Sequence, residues 1–247
     1  MNLRRMTRWV ARGIVAAFVI LVGGFWAWRH SVDNFGVVIS GPAPVYRSDQ
    51  MTPETLSETI LRLGIRTVLN LRGPNPGDAW YDHERAATLA SGATQIDMPL
   101  SSCDWMSRAQ AQALAQALKD SPRPLLIHCF HGSERTGLAS AMTRLLSEGQ
   151  TLEDAGRSFS WRYLFLGLGD GVVTLRQFQQ YENWLISHKI RHSPTQFMAW
   201  LKADFQPRSP SREEWPYDPY PLVIRSHPAE NATGLAHQPN SSETALK

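Results

Sequence analysis

Residues 124–142, PLLIHCFHGSERTGLASAM, constrain the chain more than any other stretch. The run PLLIHC reads as a short buried strand, a glycine-bearing turn follows, and from Thr136 a helical pattern runs to Glu148, where Gly149 stops it. A strand that feeds a helix through such a turn points successive backbone N–H groups into one concavity, which suits an oxyanion. The residues at the turn are His128, Cys129, Gly132, Arg135, Thr136 and Gly137. Gly132 lets the backbone take a conformation that a Cβ would obstruct. Arg135, six positions after the cysteine, can curl back and grip two phosphoryl oxygens with its planar fork. The same N–H dipoles and guanidinium favour a thiolate, so Cys129 at the mouth of the cradle is the expected nucleophile.

Around this loop the chain alternates strand and helix signals. PVYRS is a short strand candidate, and the next helix has Thr52 as N-cap, Pro53 at its first position and Gly64 as its stop. IRTVLNLR and ATQIDMPL read as further strands, with helices at WYDHERAATLAS and SRAQAQALAQALKD, the latter capped by Ser107. Helices are also expected at LEDAGRSFSWRYLFL, LRQFQQYENWLISHK and PTQFMAWLKADF. This order predicts an α/β fold, a central mostly parallel sheet flanked by helices with an all-helical part after it. The organisation expected is a basic N-terminus at 1–8, a transmembrane signal anchor at 9–28, a linker at 29–44, one globular domain at 45–205, and an extended to disordered tail at 206–247.

A formal net charge of +3 is too small for a nucleic-acid surface, and two cysteines make neither a disulfide framework nor a zinc pattern. The anchor reading rests on Arg4, Arg5, Arg8 and Arg12 before an uncharged run at 13–28, with Trp9, Trp26 and Trp28 as interfacial aromatics. A cleaved signal peptide is the alternative, although no small-residue cleavage site follows the apolar run. The positive-inside rule puts the N-terminus in the cytoplasm and the remaining chain in an extracytoplasmic, periplasmic-type space.

The cysteine loop resembles the signature loop of cysteine-dependent phosphatases of the tyrosine and dual-specificity class. YRSDQMTPETLSETILRLGIRTVLNLRG and WYDHERAATLASGATQIDMPLSS are similar to bacterial members. The resemblance implies a phosphocysteine mechanism without metal or cofactor, in which residues 128–135, namely His128, Cys129, Phe130, His131, Gly132, Ser133, Glu134 and Arg135, hold the phosphate and Thr136 assists the second step. It also implies an aspartate acid outside the loop. Asp104, between strand and helix, is the expected one, and Asp97, inside the strand, is the alternative. His128 either orients the loop or is a core histidine, and Thr136 is also a helix-cap candidate. Glu134 argues against highly phosphorylated substrates. Arg72 is either a substrate contact or a structural ion pair, and Arg162 is expected to face the pocket beside mostly core aromatics. Cys103, next to Asp104, is a candidate redox partner for Cys129. The expected substrate is a phosphoprotein or a membrane-proximal lipid or glycan phosphate. A catalytically idle phosphate-binding module and a rhodanese-type sulfurtransferase remain as alternatives.

Overall fold

The computed structural model describes residues 3–31, 33–168, 171–208 and 222–224. Six strands, β1 (Gly36–Ile39), β2 (Val45–Ser48), β3 (Thr67–Asn70), β4 (Thr94–Asp97), β5 (Leu125–His128) and β6 (Leu222–Ile224), form one sheet in the order β1-β2-β5-β3-β4-β6. The inner four run parallel, and β1 and β6 close the edges antiparallel. The helices are α1 (Leu3–Ser31), α2 (Pro53–Leu63), α3 (Ala79–Ala90), α4 (Arg108–Asp120), α5 (Glu134–Leu145), α6 (Leu152–Gly156), α7 (Val172–His188) and α8 (Pro194–Ala203), with a 3-10 turn at Trp161–Tyr163.

Every residue of β3 and β5 is buried, as a parallel strand covered on both faces requires. Alternation along these strands divides the core. Val68 and Leu126 join Leu56 and Ile60 under α2, while Leu69, Leu125 and Ile127 face the larger cluster built with α4, α5, α7 and α8. The caps follow the sequence: Thr52 accepts from the Thr55 amide, Gly64 ends α2 in the left-handed conformation, and Ser107 and Gln110 form a reciprocal capping box on α4.

Register then positions the site. Ser48 and Asn70 both stand level with His128, and Asn70 stands level with Asp97, so four strands end in one row. Cys129 lies one residue beyond it, just past the end of a strand inserted between the sequence-consecutive β2 and β3. Open α/β sheets bind ligands at such a carboxyl edge.

Three expectations change. The linker at 29–44 is not wholly a tether: GVVI, apolar and β-branched, pairs with β2 as an edge strand. The tail contributes β6 beside β4, and the rest of 209–247 lies outside the described residues. The helix expected at 152–166 is only α6 and the 3-10 turn, because the chain turns at Arg157–Ser160 to bring Ser158 over the cysteine loop.

The anchor at 9–28 falls in the 29-residue α1. Among the described residues no helix is long and apolar enough to cross a membrane. The physical reason is length: the uncharged run from Gly13 to Trp28, between Arg12 and Arg29, is short of the roughly 20 residues a span needs.

Candidate active site

The loop after β5 folds tightly against β2. Gly132 has φ +65°, and a Cβ there would lie 2.6 Å from the Ser48 carbonyl oxygen and 2.7 Å from the Asp49 amide nitrogen. Both are backbone atoms that cannot swing away, so glycine is required for conformation and for space. From β2, the fully buried Arg47 donates through Nη2 to the Gly132 carbonyl at 2.7 Å and through Nη1 to the Ser158 carbonyl at 2.9 Å. Its guanidinium lies 3.7 Å from the Tyr163 ring centroid. Burial pushes Arg47 down to about 10, with Tyr163 and Cys129 opposing the shift, so it remains a cation at neutral pH. Asn34 completes the brace, donating to the carbonyls of His131 at 2.9 Å and Tyr163 at 3.1 Å.

Inside this frame Cys129 is buried, with a free thiol. Around it, Ser133 Oγ, Arg135 Nε and Thr136 Oγ1 are buried with no hydrogen-bond partner among the described residues. Buried donors are rarely left unpaired in folded proteins, and a tetrahedral oxyanion offers acceptors for all three. α5 begins at Glu134 with Ser133 before it, so Thr136 lies inside the helix and its cap role is corrected. Arg135 Nη1 reaches the Leu100 carbonyl at 3.4 Å, which ties the loop to the segment leading to Asp104.

A second chain of contacts starts beneath the cysteine. His128 Nε2 stands 3.2 Å from Glu84 Oε1, both groups buried. Gln50 donates to Glu84 and accepts from Arg72 Nη1, the latter at 2.8 Å. Arg72 lies 3.3 Å from the Trp80 ring centroid and 5.0 Å from that of Phe130. Burial and then the charge of Arg135 push the Arg72 guanidinium below its ordinary value, while Glu84 and Cys129 pull it up. Arg72 thus sits at the site, held by hydrogen bonding and stacking. Half-exposed Phe130 provides an apolar rim beside it.

The two aspartates are separated by their surroundings. Asp97 is fully buried, accepting from Tyr81 Oη at 2.7 Å, Asn70 Nδ2 at 2.8 Å and Gln95 Nε2 at 2.9 Å. Burial pushes its carboxyl up, and those three hydrogen bonds oppose the shift. Its oxygens are committed to tying β3, β4 and α3 together. Asp104 is half-buried on the loop before α4, with Oδ2 accepting from Ser101 Oγ at 3.1 Å. Cys103 is exposed and contacts Ser102 Oγ at 3.5 Å, and no disulfide joins it to Cys129. His131 is exposed, and Glu134 packs where a Gly171 side chain would stand.

The expectation for the 158–168 segment divides. Phe159 and Phe165 enter the core, whereas Trp161 is exposed and Tyr163 stacks on Arg47. Arg162 lines a separate cleft beside β1 rather than the cysteine loop. Arg47, Glu84, Gln50 and Trp80 were not expected from sequence. Arg47 did leave a signal: in VYRS it shares the inward parity of Val45, where an unpaired arginine is costly. Glu84 had none, being one charge among several on α3.

The family model described as a DSP-PTPase phosphatase fused to NAD+ kinase matches residues 39–161. The dual specificity protein phosphatase TpbA of Pseudomonas aeruginosa UCBPP-PA14 is 29% identical over 126 residues, covering 50% of this chain and 53% of the relative. The chain therefore spans about half the length of the curated relatives it matches. Among solved structures, the core catalytic domain of the PP-IP phosphatase SIW14 from S. cerevisiae is 22% identical with a TM-score of 0.48, over 63% of this chain and 91% of that one. P. aeruginosa TpbA in complex with pTyr is 21% identical with a TM-score of 0.43, over 65% and 86%. Over residues 39–161 the chain is therefore similar to the cysteine-dependent tyrosine and dual-specificity phosphatases.

Proposed function

We propose that the chain hydrolyses phosphomonoesters through a phosphocysteine intermediate. The observation that carries this reading is the set of buried, unpartnered donors of Ser133, Arg135 and Thr136 around the buried Cys129. The Cys129 sulfur attacks phosphorus, the bond from phosphorus to the leaving oxygen breaks, and Asp104 gives that oxygen its proton. Water then attacks the phosphocysteine, Asp104 takes the water's proton, Thr136 assists departure of the sulfur, and phosphate leaves the regenerated thiolate. Arg135 and the loop amides hold the phosphoryl oxygens throughout. Asp104 is preferred as acid because it stands on a loop, whereas every Asp97 oxygen is already engaged.

The substrate we favour is a phosphorylated protein side chain, phosphotyrosine first. Phe130 and the Arg72–Trp80 stack offer flat surfaces to an aryl ring, and an acidic Glu134 in the loop disfavours a dense phosphate cluster. The relatives' name, dual specificity protein phosphatase, agrees. A membrane-proximal lipid or glycan phosphate is the other substrate class to include in a panel.

Full chain under reducing conditions should turn over phenyl phosphate, and Asp104→Asn should lower kcat about 10²- to 10³-fold. The pH–rate limb that reports ionisation of the acid should vanish in the variant. The loss should shrink with p-nitrophenyl phosphate, whose leaving group needs a proton less. An equal loss on both substrates, with the limb retained, would remove Asp104 as the acid.

For location, we propose that α1 attaches the domain to a bilayer with the catalytic part outside the cytoplasm. Ile14, Phe18, Ile20, Leu21 and Phe25 are exposed along it, behind a basic N-terminus. Full chain should stay with membranes after an alkaline carbonate wash and be digested by protease added to the extracytoplasmic side. Release into the wash, or protection from protease, would overturn this.

A further inference from the structure

Beside β1, on the face opposite α2 and α3, a cleft of about 280 Å³ is lined by Arg47, Arg144, Arg157, Arg162, Ser140 and Tyr163, with Val37 and Val38 as an apolar wall. It is distinct from the mouth at Cys129. None of its lining residues is acidic. Arg157 is paired with Glu153 at 2.7 Å and Asp154 at 3.4 Å on the solvent side, and the charge of Asp154 also reaches Arg144. Arg144 donates to the neutral Gln150 at 2.8 Å, and Arg162 lies 5.6 Å from the Tyr163 ring centroid. At the base of the cleft, Arg47 Nε and Ser140 Oγ are buried with no hydrogen-bond partner among the described residues.

Clustering guanidiniums in a partly buried cleft costs mutual repulsion, which a bound anion relieves. At Arg47 burial lowers the guanidinium first, Tyr163 and Cys129 raise it, and the like charges of Arg144 and Arg162 lower it. Two unsatisfied donors at the base, charged forks on the walls and an adjoining apolar strip fit a compact oxyanion carrying a small organic group. Arg47 also donates to the Gly132 carbonyl, so whatever engages its Nε contacts a residue that shapes the catalytic loop.

We infer that this cleft is a second oxyanion site for phosphate or a small phosphomonoester, coupled to the cysteine loop through Arg47. Product phosphate and a phosphorylated metabolite share the chemistry recognised there. Occupancy reaches the loop through the Arg47 guanidinium, whose Nη atoms hold the Gly132 and Ser158 carbonyls, so the site regulates turnover without taking part in it.

Inorganic phosphate is the probe, measured on full chain by equilibrium dialysis of the radiolabelled ion. Wild type should bind two equivalents. Arg144→Ala/Arg162→Ala should weaken one of them by at least tenfold, in keeping with losing charged hydrogen bonds, while phenyl phosphate turnover without added phosphate stays within about twofold. Arg135→Ala should remove the other equivalent. One equivalent in wild type, lost in Arg135→Ala and unchanged in the double variant, overturns the second site and leaves the phosphatase reading standing. Two equivalents in wild type with neither weakened in the double variant likewise overturns it. Replacing phosphate with glycerol phosphate in the same dialysis separates the sources: tighter binding of the ester at the site lost in the double variant points to a metabolite, equal binding to the product.

Discussion

Cys129→Ser will reduce phenyl phosphate turnover by about 10⁴-fold or more while leaving phosphate binding at the cysteine loop within a few-fold of wild type. The two readouts separate because the residues serving them differ. Attack on phosphorus needs the sulfur, a far better nucleophile at neutral pH than a serine hydroxyl with no base beside it. Anion binding needs Arg135, Ser133, Thr136 and the loop amides, all of which the substitution leaves in place. Serine is slightly smaller than cysteine and can hydrogen-bond, so the buried position should accept it at a stability cost of about 1 kcal/mol. The measurement is steady-state phosphate release beside equilibrium binding of vanadate or phosphate, with a thermal melt as the folding control. Turnover within tenfold of wild type would end the phosphocysteine reading, and the sulfurtransferase alternative would then be tested with thiosulfate.

What the sequence made legible follows from how local each signal is. The strand-turn-helix around Cys129 is a contiguous pattern, and it folds as read, except that α5 starts two residues early, taking Thr136 into its interior, and ends at Leu145 rather than at Glu148. The caps at Thr52, Gly64 and Ser107 were readable because the determinants of a helix end lie within four residues of it. The preference for Asp104 over Asp97 rested only on its place between strand and helix. Both are aspartates near a strand end, and only the pairing of Asn70 with Asp97, and of Tyr81 with the same carboxylate, shows that one is structurally committed. Edge strands were missed for a related reason. GVVI and LVI are three- or four-residue segments whose fate depends on whether β2 and β4 present a free edge. The least legible feature was the path from His128 through Glu84 and Gln50 to Arg72. It joins four elements that neither periodicity nor spacing relates.

Arg47→Met will destabilise the protein by about 3 kcal/mol and lower kcat/KM by about 10²-fold, although Arg47 touches no substrate in the proposed mechanism. The stability loss comes from two carbonyls. Those of Gly132 and Ser158 each accept one Nη hydrogen bond from Arg47, and methionine fills similar space without a donor, so two buried acceptors lose their charged partner. Relief from burying a cation offsets part of that cost, which keeps the loss near the lower end of the range for a broken buried charge. For a domain of this size the change lowers Tm by roughly 6–12 °C. The activity loss has a separate cause. Gly132 sits in a left-handed conformation against the backbone of Ser48 and Asp49, and its carbonyl is held by Arg47 alone among the side chains described. Without that hold the cradle amides lose their fixed aim, and transition-state contacts suffer more than ground-state ones, so kcat should fall further than KM rises. Arg47→Lys keeps the charge but cannot span two carbonyls with a planar fork, and should fall between wild type and Arg47→Met in both readouts. The pair of variants is decisive when melting and kinetics are measured below the Tm of each. If Arg47→Met loses stability while kcat/KM is unchanged, Arg47 braces the fold only, and its proposed coupling to the loop fails with it.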